Sequence, residues 1–257
     1  MTAPRAARIA MPKFRYLCSA MKRVLIVLLL SAASLGVRAQ VSDVIGGYNF
    51  SEDNNGVAAI LSSYADDAFG STYARADFAF RPSPFSLRRT YLEIARSLVF
   101  WKGTKFENLG LHAEFNGFMN MDNCNWLFGV DYTLPTKDLV KVSLLYKTFN
   151  GNTAATVPVQ LSVLWDMRDL FNVSGLEFRG LFKAWGEDTR YWYGDADPKE
   201  AGIAYFIIKA TPQIWYSAGQ FFGWDGLSLG GEVELSYNYL GCSGFRARPM
   251  AGLRISF

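Results

Sequence analysis

The sequence predicts an all-β protein, a transmembrane antiparallel up-and-down β-barrel of about twelve strands. Three observations predict it: apolar and polar residues alternate in short runs, these runs are longer than ordinary strands, and tryptophans gather near their ends. Alternation with a period of two gives a strand one apolar and one polar face. An outer-membrane barrel turns the apolar face towards lipid and keeps a polar lumen, whereas a soluble sandwich, the alternative architecture, buries that face.

The alternation defines the predicted strands. Val140 and Val142 alternate with Lys141 and Ser143, and other runs show the same pattern. The runs are 44–50, 57–64, 69–80, 89–100, 109–118, 125–134, 139–150, 157–167, 174–186, 202–216, 226–240 and 245–257. Most exceed the roughly 5–6 residues of an ordinary strand and approach the 9–11 that cross a membrane at a tilt. The count is even, as in bacterial single-chain barrels.

Turn lengths and tryptophan positions fit a barrel with both termini in the periplasm. The connections at 135–138 and 168–173 then fall on the periplasmic side, and the longest, 187–201, falls outside. Short periplasmic turns and longer outer loops are typical of such barrels. The tryptophans at or near predicted strand ends are Trp101, Trp126, Trp165, Trp185, Trp215 and Trp224. They fit aromatic girdles at the two interfaces better than a soluble core.

Composition and charge exclude several classes of protein. Aromatic residues make up 16% of the chain and hydrophobic residues 50%, which excludes a disordered or collagen-like chain. Seven of the 26 basic residues and none of the 23 acidic ones lie in residues 1–39. The rest of the chain therefore has more acidic than basic side chains, and the overall charge of +3 does not indicate a nucleic-acid partner.

The start of the chain has the pattern of a cleaved secretory signal. After Met21, the basic residues Lys22 and Arg23 precede an apolar run at 24–30 and a small-residue cleavage site that ends at Ala39. The apolar run is shorter than the about 20 residues needed to span a bilayer, which argues against a membrane anchor. Because this pattern begins at Met21, there are two interpretations of residues 1–20. Either the start codon has been assigned too far upstream, or these residues are a genuine N-terminal extension.

The chain is therefore predicted to have two parts. Residues 1–39 are an N-terminal extension and cleaved signal peptide, and residues 40–257 are an exported barrel integral to the outer membrane. The chain ends in an alternating strand whose last residue is Phe257. This end resembles the terminal signal of outer-membrane barrels, which implies the barrel-assembly machinery and outer-membrane lipid as partners. The sequence leaves the oligomeric state open.

Four segments carry a resemblance to a known family. They are Tyr91-Leu92-Glu93-Ile94-Ala95-Arg96 with Phe100-Trp101, His112-Ala113-Glu114-Phe115-Asn116-Gly117, Pro212-Gln213-Ile214-Trp215-Tyr216 and Glu232-Val233-Glu234. Together they resemble a family of outer-membrane barrels with no established substrate, itself similar to the nucleoside-specific channel Tsx. The resemblance implies a twelve-stranded barrel in the outer membrane and, more remotely, passage of small solutes. It implies no particular binding residues.

The alternation also predicts which side chains face the lumen. A charge that faces lipid at mid-depth would cost about 2–4 kcal/mol for Arg or Lys, so charged strand residues must point inward and pair or line water. The lumen and solute-lining candidates are Arg75, Asp77, Glu93, His112, Glu114, Asn116, Asp131, Lys141, Lys147, Asp166, Glu177, Arg179, Lys183, Lys209, Gln213, Glu232, Glu234, Arg246, Arg248 and Arg254. Arg96 has the opposite parity to Glu93, which indicates either a bulge or a position near an interface.

A polar lumen of both charge signs supports two interpretations. The first is a passive channel, a porin for small polar solutes without strong ion selectivity, for which the resemblance suggests a nucleoside-like ligand. Aromatic residues with lumen parity, Tyr73, Tyr91 and Trp185, could stack a nucleobase or simply fill volume. The second is a closed structural barrel whose charges form ion pairs and leave no path.

An enzyme, a metal site and a cofactor are not expected. Some twelve-stranded outer-membrane barrels are phospholipases with a Ser–His pair, but His112 is the only histidine and Glu114 follows it on the same face. We expect a lumenal histidine hydrogen-bonded to a carboxylate. Scattered carboxylates give no metal-ligand spacing, and Asp195 and Asp197 could hold calcium only loosely or belong to a solvated loop.

Two cysteines lie in the predicted barrel, Cys124 and Cys242, and both fall near outer strand ends. The periplasm permits disulfides, but a bridge requires the two Cα atoms to lie within about 7 Å. Because the two predicted strands are not neighbours, we expect free thiols and keep a disulfide as the alternative.

Overall fold

The computed structural model describes residues 40–83, 85–118, 123–148, 155–190, 203–224 and 226–257. The predicted extension and signal peptide at 1–39, and the loop with Asp195 and Asp197, lie outside the described residues. The described residues form one antiparallel sheet that closes on itself.

The sheet contains thirteen strand segments. They are β1 (Gln40–Asn49), β2 (Gly56–Asp67), β3 (Gly70–Pro82), β4 (Phe85–Leu98), β5 (Leu109–Phe118), β6 (Asn123–Thr133), β7 (Leu139–Lys147), β8 (Val159–Arg168), β9 (Leu176–Arg190), β10 (Ile203–Ala210), β11 (Gln213–Ser217), β12 (Leu227–Tyr237) and β13 (Phe245–Ser256). Both β10 and β11 pair with β9 on one side and β12 on the other, so they are two halves of one barrel strand. The predicted closed, twelve-stranded, all-β antiparallel barrel is confirmed.

The interruption between β10 and β11 has a local cause. The predicted run 202–216 is broken at Thr211 and Pro212, and proline has no N–H to donate to a neighbouring strand. The ladder continues around the break because the N–H of Thr211 donates to Leu181 O at 2.8 Å and that of Val233 donates to Pro212 O at 3.0 Å.

The barrel has two distinct ends, which we name by their connections. The terminal end carries both ends of the barrel chain and the connections 68–69, 99–108, 134–138, 169–175 and 218–224. A 3₁₀ turn, Leu170–Asn172, and a short helix, α1 (Gly219–Phe222), lie in these connections. The distal end carries the loops 50–55 and 238–244. In the described residues, neither helical segment has the length and apolar character needed to cross a membrane.

The polarity of the barrel wall is the reverse of that of a soluble protein: the outer face is apolar and the inner face is charged. Leu144 on β7 and Leu253 on β13 point outward and are 55% and 49% exposed. Lys183 on β9 and Arg254 on β13 point inward and are 4% and 3% exposed. The outer surface is thus apolar and the interior is charged, as the alternation predicts.

Two tryptophans depart from the predicted girdle. Trp185 lies well inside β9 and Trp215 lies two residues from the end of β11, and both are buried inside the barrel, 6% and 0% exposed. Strand parity, not distance from the strand end, decides which face a side chain takes. Trp215 therefore lies on the inner face with Gln213, to whose Oε1 its indole N–H donates at 2.9 Å.

Closure of the barrel depends on the seam between β1 and β13, which runs from Asp43 opposite Ser256 to Asn49 opposite Met250. A methyl group added at Gly252 in this seam would lie 2.4 Å from Gly46 O, whereas one added at Gly46 would meet nothing within 4 Å. We expect Gly252→Ala to destabilise the barrel by about 1–3 kcal/mol, the usual effect of overpacking, and Gly46→Ala to have little effect.

The measurement is the temperature at which the purified barrel changes from the fast-migrating folded band to the slower boiled band on a gel. The Gly252→Ala transition should occur at lower temperature than those of the wild type and Gly46→Ala. Equal transitions for the two variants would contradict the close seam contact.

Candidate functional site in the barrel interior

A buried cation between two carboxylates occupies the middle of the barrel. Lys183 Nζ lies 2.7 Å from Glu93 Oε2 and 2.7 Å from Glu114 Oε1. Lys183 is on β9 and its partners are on β4 and β5, nearly opposite in the strand order. Each of the three side chains is at most 5% exposed. The ammonium group therefore ties two sides of the wall together in a region shielded from water.

The single histidine extends this central cluster towards the terminal end. His112 Nδ1 lies 2.9 Å from Asp131 Oδ2, and its Nε2 lies 3.6 Å from Glu114 Oε2. The hydroxyl of Ser97 donates to the other oxygen of Asp131, Oδ1, at 2.9 Å. The carboxylate of Asp131 thus lies between Ser97 and His112, an arrangement that orients the imidazole but differs from a serine nucleophile bonded to its base.

A second cluster crosses the interior from β3 to β12. Arg75 Nη2 lies 3.0 Å from Glu232 Oε2, and Arg75 Nε lies 2.6 Å from Asp77 Oδ1. Gln213 Nε2 donates to the same Glu232 oxygen. Charge-assisted and amide hydrogen bonds therefore satisfy this buried carboxylate from two sides.

Further ion pairs lie towards the two ends. At the terminal end, Arg179 pairs with Asp43 at 2.7 Å and Arg254 with Glu177 at 2.6 Å. Towards the distal end, the pairs are Lys147 with Glu187 at 3.3 Å, Lys209 with Glu234 at 3.5 Å and Arg248 with Glu234 at 2.7 Å. Lys147 also lies over the ring of Trp185, 4.3 Å from its centroid.

Three further lumen candidates, Asn116, Lys141 and Arg246, differ in their hydrogen bonding. Asn116 Nδ2 donates to Glu114 Oε1 at 2.6 Å, and Lys141 Nζ donates to Ser71 Oγ at 2.6 Å. The Nε of Arg246 is buried and has no hydrogen-bond partner among the described residues.

Two further charged positions lie near the terminal end. Asp166 pairs with the exposed Arg168 at 3.6 Å. Arg96, which the sequence leaves open, bonds Asp67 at 2.8 Å and Thr72 at 2.7 Å. The register shift of β4 against β3 lies elsewhere, between Ala79 and Phe80. Arg96 therefore lies near the terminal end of β4, with no bulge between it and Glu93.

Several interior groups are absent from the sequence-based set. Asp43 lies one residue before the predicted strand 44–50, and Glu187 lies one residue after the predicted strand 174–186. Both belong to strands in the structure, so the error in the predicted strand ends left them out of the set. Asp53, which pairs with Arg248 at 2.6 Å, lies in a loop where parity gives no signal.

Apolar side chains share the interior with the charges. One cluster contains Ile45, Ile60, Trp215 and Met250, and a second, towards the distal end, contains Phe118, Trp185, Ile207 and Tyr239. Tyr239, which falls in the predicted run 226–240, lies beyond the end of β12 and is 7% exposed in this second cluster. Cys124 and Cys242 form no disulfide, as expected.

Cavities lined by residues that the structure describes lie between these groups. One cavity, of about 400 Å³, lies at the terminal end and is lined by Tyr64, Tyr73, Asp66, Arg75 and Arg179 among others. A cavity of about 40 Å³ follows beside the central cluster, and one of about 50 Å³ lies distal to Glu232. In the part of the chain that the structure describes, no cluster of three or more His, Cys, Asp and Glu side chains could hold a metal ion.

These features define a closed, twelve-stranded antiparallel barrel with an apolar outer wall and an ion-paired interior. The chain belongs to the family described as Domain of unknown function (DUF5020), whose profile matches residues 45–257. A search of curated proteins found no match. A solved chain from work on "the in-meso Crystallization of Membrane Proteins" is similar at a TM-score of 0.45 and 10% identity, over 84% of this chain and 83% of that one.

The central cluster yields a stability prediction. Lys183→Met would leave Glu93 and Glu114 buried without their cation, which typically costs about 3–5 kcal/mol. We expect its urea midpoint, measured on the refolded barrel in detergent, to fall well below that of the wild type. Adding Glu93→Gln and Glu114→Gln should restore much of the loss, because neutral amides need no counter-charge, while the exposed control Lys105→Met should leave the midpoint unchanged. A midpoint unaffected by Lys183→Met would contradict the buried pairing.

Proposed function

We propose that this chain is an integral outer-membrane β-barrel that passes small polar solutes. The observation that carries the membrane part is the inverted wall, with apolar side chains outside and charged ones inside. An outward apolar surface of this extent would be costly in water, and a bilayer is the environment that it fits. A cleaved export signal at 1–39 and assembly through Phe257 belong to the same proposal.

Aromatic side chains at the terminal end support this membrane placement. Phe69, Phe100, Phe171, Phe222 and Trp224 lie on or next to the turns at that end and are between 49% and 84% exposed. Aromatic rings favour the headgroup region, where one side is apolar and the other is wet. With both ends of the barrel chain in the periplasm, these rings would lie at the inner leaflet of the outer membrane.

The membrane proposal predicts that the protein stays with the outer-membrane fraction after carbonate and high-salt washes and requires detergent for release. It also predicts that Leu144→Arg on the outer wall impairs assembly, since a lipid-facing Arg costs about 2–4 kcal/mol at mid-depth. The control Thr136→Arg, in an exposed turn, should assemble normally. Release of the wild type by carbonate alone would overturn the proposal.

The solute part of the proposal rests on the terminal cavity. Its volume of about 400 Å³ would accept a small polar molecule, and its wall combines Tyr64 and Tyr73 with Asp66 and Arg179. Aromatic faces stack on a nucleobase, and carboxylate and guanidinium groups bind hydroxyls and ring atoms. A nucleoside-like solute is therefore our specific proposal, taken up passively, with no cofactor and no catalytic step.

The proposed path passes the cluster of Arg75 and Glu232, whose ion pair would constrict it. This ion pair separates the terminal cavity, which Arg75 lines, from the distal cavity of about 50 Å³, which Glu232 lines. Opposed charges at a constriction favour neutral or zwitterionic solutes over ions of either sign. Passage would require this pair to separate or bend aside.

A closed structural barrel is the second candidate. The apolar cluster of Ile45, Ile60, Trp215 and Met250 favours it, because these side chains occupy interior volume that a wide pore would leave to water. In that case the ion pairs would serve only to satisfy the charges of a filled barrel.

Swelling of liposomes that contain the purified barrel distinguishes the two candidates. We expect uptake of nucleosides in preference to sugars and amino acids of similar size. Glu232→Ala removes one side of the constriction and should raise uptake by about twofold or more, whereas Val233→Leu on the outer wall should not change it.

No uptake by the wild type or by Glu232→Ala would favour the closed barrel. Uptake governed by size alone would keep the pore and remove the nucleoside preference.

A further inference from the structure

The loop between β1 and β2 folds back onto the distal end of the barrel. The N–H of Phe50 donates to Pro249 O at 2.9 Å, and the N–H of Asn54 donates to Ser51 O at 3.3 Å, which closes a tight turn. Ser51 is buried, and its N–H and hydroxyl both donate to Asn49 Oδ1, at 3.0 and 2.6 Å. The loop 50–55 therefore has a defined, inward-leaning conformation.

Side chains from two separate strands hold this loop. Asp53 Oδ2 accepts hydrogen bonds from Arg248 Nε at 2.9 Å and Arg248 Nη2 at 2.6 Å, a two-pronged contact from β13. From β4, Arg88 Nη2 donates to the backbone oxygen of Asp53 at 2.6 Å. The loop is thus tied to strands on either side of β1 and β2.

A cavity lies directly beneath the loop. Asn49 and Asn54 form part of the wall of the distal cavity of about 50 Å³, together with Ile60, Glu232 and Met250 from the inner face of the barrel. The loop therefore covers the space that leads to the carboxylate of Glu232.

We propose that residues 50–55 form a lid over the distal side of the barrel interior, latched by Asp53 on Arg248, and that release of this latch opens the path to Glu232. The consequence for solute passage rests on the proposed channel function. The lid itself is a property of the loop and can be tested without any transport.

The latch can open without leaving a buried charge unpaired. Arg248 is 4% exposed, but it keeps hydrogen bonds from Nη1 to Glu234 at 2.7 Å and to Ser236 at 3.2 Å when Asp53 leaves. The side chain of Asp53 is already 39% exposed and passes into water on release. Neither state carries a large desolvation penalty, which is what a two-state element requires.

The latch is formed at neutral pH. Burial raises the pKa of Asp53, but the hydrogen bonds and positive charge of Arg248 outweigh it and hold the pKa below its ordinary value. The carboxylate therefore stays ionised, and the contact weakens only as the pH falls through this lowered pKa.

Labelling of a cysteine beneath the lid tests the proposal. Ala58, which lines the distal cavity, is replaced by cysteine in a background without the three native cysteines, and the purified barrel is treated with a charged ammonium methanethiosulfonate. We expect slow labelling, accelerated about tenfold by Asp53→Asn. The adjacent, exposed Glu52 supplies the matched control Glu52→Gln, which should not change the rate.

The rates decide between the outcomes. Equal labelling with and without Asp53→Asn would overturn the lid, and so would equal acceleration by Glu52→Gln. If Asp53→Asn assembles poorly, Arg88→Met removes the second tether instead and should accelerate labelling less strongly, and no acceleration would again overturn the lid.

Liposome swelling separates failure of the lid from failure of the channel. Labelling that depends on Asp53 in a barrel without uptake would keep the lid and refute the channel. Uptake with labelling that does not depend on Asp53 would keep the channel and refute the lid.

Discussion

Pairing of buried charges across the barrel is the constraint on which the rest of this structure depends. Because the outer wall is apolar, charged residues in the middle of the strands must face inward, where an unpaired buried ion is costly. Lys183 meets this constraint by holding Glu93 and Glu114 on facing strands. The same logic explains why the interior alternates between cations and anions rather than presenting one sign of charge.

Charge pairing alone does not fill a barrel of this size, and the apolar interior clusters follow from that geometry. Where inward positions carry no charge, Ile60, Trp215 and Met250 pack against one another and exclude water. Exclusion of water strengthens the neighbouring ion pairs, since attraction between charges grows as the local dielectric falls. The proposed conduction and the stability of the barrel would make opposite demands on the same residues, because a wider path would weaken the ion pairs that hold the wall.

The architecture could be predicted from the sequence more fully than the interior contacts could. Period-two alternation located the strands and the inner face, because parity depends only on local chain geometry. Interaction partners depend on which strands lie opposite each other once the barrel closes. The ion pair between Arg75 and Glu232 could therefore not be predicted from the periodicity of the sequence. Errors of one residue at strand ends hid Asp43 and Glu187. Trp215 was misplaced because proximity to a strand end was used where parity should have been decisive.

The contacts also join the lid to the centre of the barrel. Arg248 shares Glu234 with Lys209, whose ammonium group lies 4.9 Å from the centroid of the Tyr91 ring. The hydroxyl of Tyr91 donates to Glu93 at 2.6 Å.

Glu93 is in turn bound to Lys183. A chain of polar contacts thus runs from the distal loop to the central cation. While the latch is closed, Arg248 is paired with both Asp53 and Glu234. When Asp53 leaves, Glu234 alone must balance the charges of Arg248 and Lys209. Lys209 would then be held less firmly over the Tyr91 ring. Opening of the lid would therefore affect the hydrogen bond that the Tyr91 hydroxyl donates to Glu93. The lid and the central cluster would behave as one coupled electrostatic element.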